Sequence, residues 1–331
     1  MKVLVTGGTG FIGRRLVERL VERGDNVHVL ARGESGTDLP AGAELHRGDV
    51  ADMSSVGSAA RVCEVVFHVA AKAGISGPYE AYRRANVEGT RNVLDACRRH
   101  GNPRLVFTST PSVVFDGTSM EGADESAPYP DHFEASYPET KAEAERLVLA
   151  ANGPELATVA LRPHLVWGPG DRHLVPRILA RARAGKLALV GDGSNRVDST
   201  FVDNAVDAHL LAAEKAAPGS PAAGRAYFIS NGEPLAMRDL LARILAAAGL
   251  PPVTRRVSPA FAVAAGIVLE KAHAWLGLDG EPRMTRFVAR ELSTAHWFDL
   301  TAAKRDLGYE PRVSIDEGMR RLAEWLRAGG A

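Results

Sequence analysis

Lys2-Val3-Leu4-Val5-Thr6-Gly7-Gly8-Thr9-Gly10-Phe11-Ile12-Gly13 opens the chain, and the reading of this stretch decides the fold. Lys2–Thr6 is short, apolar and β-rich, so it reads as a strand. Phe11–Arg23 carries its apolar residues at helical spacing and reads as an amphipathic helix. Three of the four glycines at the junction have distinct tasks. Gly7 permits a tight turn, Gly10 lets backbone amides approach a pyrophosphate, and Gly13 lets helix and strand pack closely. The amides at the helix N-terminus then face negative charge. Glycines alone also serve simple turning, but this strand–loop–helix context favours nucleotide binding.

Outward from that unit, short β-rich runs alternate with helical patterns. Strands are expected at Asn26–Ala31, Glu64–Val69, Arg104–Ser109 and Leu156–Leu161, and long helices at Tyr79–His100 and Glu134–Ala151. Such alternation predicts a parallel sheet with crossover helices. Val65-Val66-Phe67 and Leu105-Val106-Phe107 lack polar alternation, as strands covered on both faces should. Beyond Gly168-Pro169-Gly170 helical patterns dominate: His173–Ala184, Asn204–Ala216, Ala236–Ala248, Ala260–Leu276 and Asp316–Ala328, with Ala216–Gly224 reading as an exposed loop. The expectation is an α/β protein, a Rossmann-like doubly wound parallel sheet with a smaller, mostly helical C-terminal substrate-binding portion. Residues 1–170 form the dinucleotide-binding domain, to which 204–216 returns, and 171–331 form the substrate-binding portion.

The 331 residues are 45% hydrophobic and 24% charged, an ordinary globular composition. Lysine plus arginine equals aspartate plus glutamate at 40 each, so no overall field favours nucleic acid, although a local phosphate site remains open. Cys63 and Cys97 have neither disulfide nor metal spacing; no metal is expected, and both read as core thiols. The N-terminus lacks a secretory pattern, which implies a cytoplasmic protein. Pro259–Leu269 is almost wholly apolar, yet eleven residues fall short of the about twenty that span a bilayer. No transmembrane segment is expected. A core helix is the favoured reading over membrane contact, and the wall of a pocket for an apolar substrate is the third.

The second strand bears on the cofactor. A strand ending in Asp or Glu offers a carboxylate to the ribose hydroxyls of NAD, whereas this one ends Val29-Leu30-Ala31-Arg32. The guanidinium fork of Arg32 suits a 2′-phosphate, so NADP(H) is favoured. Nearby Glu34 keeps NAD(H) open as the less favoured cofactor.

Tyr137-Pro138-Glu139-Thr140-Lys141 places a phenol and an ammonium one helical turn apart on one face. Pro138 fits a first helical turn, where no amide donor is needed. The ammonium of Lys141 is expected to lower the Tyr137 pKa from its ordinary value of about 10. Tyr137 would then act as general acid in reduction and general base in oxidation. Upstream, Phe107-Thr108-Ser109-Thr110-Pro111-Ser112 ends a buried strand with hydroxyls at the ligand-binding edge of the sheet. Thr110, with Ser112 second, is the candidate to hydrogen-bond a substrate carbonyl; the alternative for both is a turn hydroxyl satisfying local backbone.

Taken together with Gly48-Asp49-Val50, His68-Val69-Ala70-Ala71, Asn86-Val87-Glu88-Gly89-Thr90, Leu161-Arg162-Pro163, Trp167-Gly168-Pro169-Gly170-Asp171 and Leu307-Gly308-Tyr309-Glu310-Pro311, these residues resemble the extended short-chain dehydrogenase/reductase superfamily, in particular its 3β-hydroxysteroid dehydrogenase-like branch. The resemblance covers nearly the whole chain. It implies that Asp49 meets the adenine, that Ala70 and Ala71 pass near the cofactor, and that Lys141 contacts the nicotinamide ribose. Phe11, Ile12, Val50, Lys72, Pro163 and Val166 join the implied cofactor-binding set. Thr110 stands where many members have serine, which leaves the choice between Thr110 and Ser112 open.

Ala71-Lys72-Ala73-Gly74, Ser109-Thr110-Pro111-Ser112-Val113, Val190-Gly191-Asp192-Gly193-Ser194-Asn195 and Ala226–Pro234 further resemble the keto-acid reductases of bacterial long-chain olefin biosynthesis. That resemblance implies NADP(H)-dependent reduction of a hydrophobic 2-alkyl-3-oxoalkanoic acid. It also implies a homodimer paired through Tyr79–His100 and Glu134–Ala151, and association with other olefin-biosynthesis enzymes. Lys72, at the ligand-binding edge, is a candidate for the substrate carboxylate, with an exposed loop lysine as the alternative. Phe261, Val263, Ile267 and Leu269 are candidates for the alkyl chains. Competing readings are a 3β-hydroxysteroid dehydrogenase, a nucleotide-sugar epimerase or dehydratase, and an NADP-binding sensor or scaffold without chemistry. A sugar-nucleotide site would want convergent basic groups rather than the apolar 259–269 run. A sensor need not keep Tyr137, Lys141 and a carbonyl-binding hydroxyl together.

Overall fold

A computed structural model describes residues 1–330 apart from 34–38, 62, 75–76, 277–281 and 283. Seven parallel strands form the main sheet in the spatial order Arg225–Ile229, Ala157–Pro163, Arg104–Thr108, Val65–His68, Lys2–Thr6, Asn26–Ala31, Ala43–Arg47. Strand order reverses between Lys2–Thr6 and Val65–His68, whose register pairs Thr6 with His68. That reversal opens the crevice in which doubly wound sheets bind ligands, and the fold is Rossmann-like. Along Lys2–Thr6, Val3 and Val5 enter the core on one face of the sheet and Leu4 enters that on the other. Burial on both faces is why these strands carry no polar alternation.

The helix Phe11–Glu22 and the helix Val202–Lys215 pack side by side on one face. The main sheet also takes in Arg225–Ile229, further along the chain than the 204–216 helix expected to return to it. Tyr79–His100 is helical throughout, but its middle, Arg83–Glu88, is wound as a π-helix. A third core, with Trp167, Phe201, Leu240 and Leu322, lies under the helical C-terminal portion.

A second sheet of four short strands ties that portion to the half built on the main sheet. Its order is Leu235–Ala236, Arg196–Val197, His296–Phe298, Met120–Ala123. Parallel pairing of His296 with Met120 carries the preceding helix, Arg286–Ser293, over the segment that follows Arg104–Thr108.

The apolar helix Pro259–Leu276 is not the core helix its composition suggested. Phe261 is 64% exposed, Val268 65% and Trp275 85%. It crosses the backbone of Thr285–Arg286 at Gly266, where a Cβ would lie 2.6 Å from the Thr285 carbonyl carbon. So close a crossing admits small inward residues such as Ala262 and Gly266, while Phe261, Ile267, Val268 and Trp275 turn outward. Among the described residues, no helix is long and apolar enough to cross a membrane. Cys63 and Cys97 are buried free thiols.

Candidate active site

A cleft of about 770 Å³ lies along the crevice at the ends of the parallel strands. The glycine loop forms one side. Gly7 has φ +71°, and the amide of Gly10, which caps the first helix, donates to the Gly7 carbonyl at 2.9 Å. A Cβ on Gly7 would sit 2.7 Å from the Ala70 backbone, and one on Gly13 would collide with the Gly7 carbonyl oxygen. Side chains are thus excluded where a dinucleotide's phosphates need free amides. Phe11 and Ile12 line the cleft with Gly7, Gly10 and Gly13, and Arg32, Asp49 and Val50 line its far end. Arg32 is exposed at the end of its strand, and Glu34 lies outside the described residues. The Asp49 carboxylate accepts from the Ala51 amide at 3.0 Å.

The next strand is locked to the first by buried polar bonds. Thr6 Oγ1 meets His68 Nδ1 at 2.7 Å and accepts from the Ala70 amide at 3.2 Å, while His68 Nε2 meets Thr90 Oγ1 at 3.0 Å. Burial holds the imidazole neutral, down to about 3. Asn86, inside the π-helical stretch, accepts from the Lys72 amide at 2.7 Å and donates to the Lys72 carbonyl and to Thr140 Oγ1 at 3.1 and 3.0 Å. It thereby clamps the segment of Ala70, Ala71 and Lys72 to the helix that carries Tyr137. His68 and Asn86 entered the sequence reading only within longer matching stretches; neither position advertises its bonds, because the partners lie far along the chain. Lys72 lines the cleft with its ammonium 4.8 Å from the Tyr82 ring centre.

Tyr137 and Lys141 lie on the helix Ser136–Ala150, in its first two turns, and both line the cleft with Thr110. The Lys141 ammonium donates to the Thr108 carbonyl at 2.6 Å and lies 3.9 Å from the Phe107 ring centre. Burial lowers it to about 7, against the pull of Glu145. The expectation of a lowered Tyr137 pKa is overturned. Burial pushes the phenol up to about 12, opposed by its hydrogen bond with Thr110 and reinforced by Glu291 and Tyr82. Helical spacing brings phenol and ammonium to one face, but the ammonium is bonded to the Thr108 carbonyl and desolvation governs the phenol.

Thr110 caps the 3₁₀ turn Pro111–Val114, accepting from the Ser112 amide at 3.3 Å and donating to Ser112 Oγ at 3.1 Å. Thr110 reaches the cleft wall, whereas Ser112 sits behind it and donates to Glu291 Oε1 at 3.3 Å. Ser109 also lines the cleft, and its buried hydroxyl has no partner among the described residues. Pro163 and Val166 border the cleft on the strand side, next to Leu165, whose φ of +41° is unusual for a branched residue. Phe261 and Ile267 form no part of this cleft wall, for the reason given by the Gly266 crossing.

The catalytic helix is anchored by a buried pair. Arg162 donates to both Glu145 oxygens, at 3.1 and 2.6 Å, and Tyr129 adds a third bond at 2.7 Å. Away from the cleft, His28, Glu44 and His46 bring their ligand atoms within 4.8 Å of one another on the outer strands. The sequence reading missed this group because strand pairing sets His28 beside Glu44.

A parallel sheet with a glycine loop, and a Tyr-x-x-x-Lys helix beside it, define an extended short-chain dehydrogenase/reductase. The chain belongs to the 3-beta hydroxysteroid dehydrogenase/isomerase family, whose sequence pattern it matches over residues 4–258. It is 53% identical over 325 residues to the 2-alkyl-3-oxoalkanoate reductase of Stenotrophomonas maltophilia, covering 97% of this chain and 98% of that protein. It is 48% identical to the protein of that name from Shewanella oneidensis, covering 96% and 84%. Among solved structures, it superposes on MoeE5 in complex with UDP-glucose and NAD with a TM-score of 0.78, 28% identity and full coverage of both chains. It is an oxidoreductase acting on CH–OH or C=O groups, with a nicotinamide cofactor.

Proposed function

We propose that this chain reduces a hydrophobic 2-alkyl-3-oxoalkanoic acid to the 2-alkyl-3-hydroxyalkanoic acid with NADP(H), in long-chain olefin biosynthesis. The observation that carries this reading is the meeting of Tyr137, Lys141, Thr110 and the glycine loop in one cleft, in a chain 53% identical to a protein named 2-alkyl-3-oxoalkanoate reductase. Arg32 at the cleft's far end supports NADP(H), since a guanidinium favours a 2′-phosphate that a carboxylate would repel. The NAD named in the MoeE5 structure keeps NAD(H) as the alternative.

The glycine-loop amides would hold the pyrophosphate, Asp49 and Val50 the adenosine end, Ala70, Ala71, Pro163 and Val166 the walls toward the nicotinamide, and Lys141 its ribose. Bound there, the cofactor would supply the hydride for the carbonyl carbon. The Thr110 hydroxyl polarises the carbonyl oxygen, with Ser112 behind it. As the C=O π bond breaks, the Tyr137 O–H bond breaks too, and its proton forms the alcohol O–H. A phenol held near pKa 12 keeps its proton until that oxygen becomes basic, which suits reduction. The half-buried Lys72 ammonium is our candidate for the substrate carboxylate. A sterol substrate is the second reading, favoured by the family's own description.

The proposal extends to a cytoplasmic homodimer joined through the Tyr79–His100 and Ser136–Ala150 helices, working beside other olefin-pathway enzymes. Its experiment is NADPH absorbance against a 2-alkyl-3-keto acid, a sterol ketone and a nucleotide sugar. Preferential consumption with the keto acid is expected, and preference for either of the others would replace this reading.

A further inference from the structure

We propose that Glu291 ends a hydroxyl relay, Glu291–Ser112–Thr110–Tyr137, that returns a proton to Tyr137 after each reduction. The inference rests on the reading of Tyr137 as the proton donor and deepens it. Ser112 and Glu291 are 179 residues apart in sequence and meet because the four-stranded sheet carries Arg286–Ser293 over the 3₁₀ turn. The bonds form a continuous line. Thr110 Oγ1 donates to Ser112 Oγ at 3.1 Å and Ser112 Oγ donates to Glu291 Oε1 at 3.3 Å, while the Thr110 hydroxyl acts on the Tyr137 phenol and opposes the rise that burial causes.

Each member has the chemistry its position needs. A hydroxyl both donates and accepts, so Thr110 and Ser112 can pass a proton either way by rotating. The terminal group must exchange protons near neutrality, and must reach water. Glu291 is intermediate in exposure as a residue, and burial raises its carboxyl to about 7. Nothing else on the line has these properties.

Once Tyr137 has given its proton to the alcohol, a phenolate remains. The Thr110 O–H bond then breaks as a new O–H forms at Tyr137. Ser112 supplies Thr110, the Glu291 carboxylic acid supplies Ser112, and the resulting carboxylate takes one proton from solvent. One proton enters and none is left over. Oxidation of the alcohol runs the same line outward, the direction in which Thr110 and Ser112 donate.

Other ionisable groups surround this line. Tyr137 and Lys141 face it from the catalytic helix, and Tyr82 from the helix that precedes the π-helical stretch. Arg290, next to Glu291, is paired with Glu134 at 2.9 Å, and Glu270 of the apolar helix with Arg286 at 2.8 Å. Of these, Lys141 also titrates near 7, so a pH profile of the unaltered enzyme alone does not identify Glu291.

The test combines variants with a direct titration. In wild type, kcat for reduction should fall as pH rises through about 7. Glu291→Gln keeps an amide that Ser112 can bond but does not titrate. It should lose that limb and at least about tenfold in kcat, where a positioned proton donor contributes about 10²–10⁴, with NADPH affinity unchanged. Added acetate should restore part of the rate. Glu291→Asp should keep a limb with a shifted midpoint. In the cofactor-free protein, infrared spectroscopy should show a protonated carboxyl that disappears near pH 7 and is missing from Glu291→Gln. Wild-type kcat and an unshifted profile in the folded Gln or Asp variant would overturn the relay, as would the lack of that carboxyl band. A wild-type protein that reduces no ketone would overturn the Tyr137 reading along with it.

Discussion

Lys141 donates to the carbonyl of Thr108 at 2.6 Å, so the ammonium is anchored to the end of a central strand rather than spent on the phenol one turn earlier. The linkage has a definite sign. Its folded pKa, about 7, lies below the ordinary 10.5, so between those values the unfolded chain binds a proton that the folded chain does not. Stability should therefore rise with pH from 7 toward 10.5, and the full penalty applies below 7. Buried Cys63 and Cys97, whose pKa values are raised, add the opposite slope above about 9. Chemical denaturation between pH 7 and 9 should show wild type gaining roughly 1–3 kcal/mol over the cofactor-free Lys141→Met variant. Parallel curves for the two proteins would refute the assignment.

The Glu145–Arg162 pair should be costly to break from one side. Glu145→Gln leaves a buried guanidinium without its counter-charge, and a loss of about 3–5 kcal/mol in urea unfolding is expected. Replacing both residues together by apolar ones should lose less than Glu145→Gln alone. A double variant as unstable as the single one would mean that packing against Tyr129, not charge, holds the catalytic helix.

Gly13→Ala should abolish nicotinamide-cofactor binding, because its Cβ meets the Gly7 carbonyl oxygen inside the loop. Gly153→Ala, where a Cβ meets nothing within 4 Å, is the matched control and should bind normally. Fluorescence titration with NADPH separates the two; equal affinities would remove the glycine loop from the cofactor site.

How far these features were legible in the sequence depended on how local their causes are. The Lys2–Thr6 strand, the glycine loop and the first helix are specified by adjacent residues, and strand and helix fall where periodicity placed them. Tyr137 and Lys141 meet the cleft together because helical spacing is itself local. Glu291 was invisible for the converse reason: a glutamate in an amphipathic helix reads as solvated, and only pairing of His296 with Met120 turns it toward Ser112. Arg225–Ile229 joins the sheet beside Ala157–Pro163 through a register that no neighbouring residue announces. The apolar run at 259–269 misled because composition averages over a helix, whereas the crossing at Gly266 selects residues one at a time.

Cofactor choice should turn on Arg32. Arg32→Asp removes the partner for a 2′-phosphate and offers a carboxylate to the ribose hydroxyls, so the ratio of kcat/KM for NADPH over NADH should fall by at least about tenfold, or about 1.4 kcal/mol. An unchanged ratio would make Arg32 a solvated surface residue.

The central claim is that Tyr137 delivers the proton that completes reduction of a 2-alkyl-3-keto acid. Its most direct measurement is NADPH-dependent formation of the 2-alkyl-3-hydroxy acid, followed by mass spectrometry, for wild type and Tyr137→Phe. The account predicts product from wild type, a loss of about 10²-fold or more in kcat for Tyr137→Phe, and nearly unchanged NADPH affinity in that variant. Substantial hydroxy-acid formation by Tyr137→Phe would contradict it.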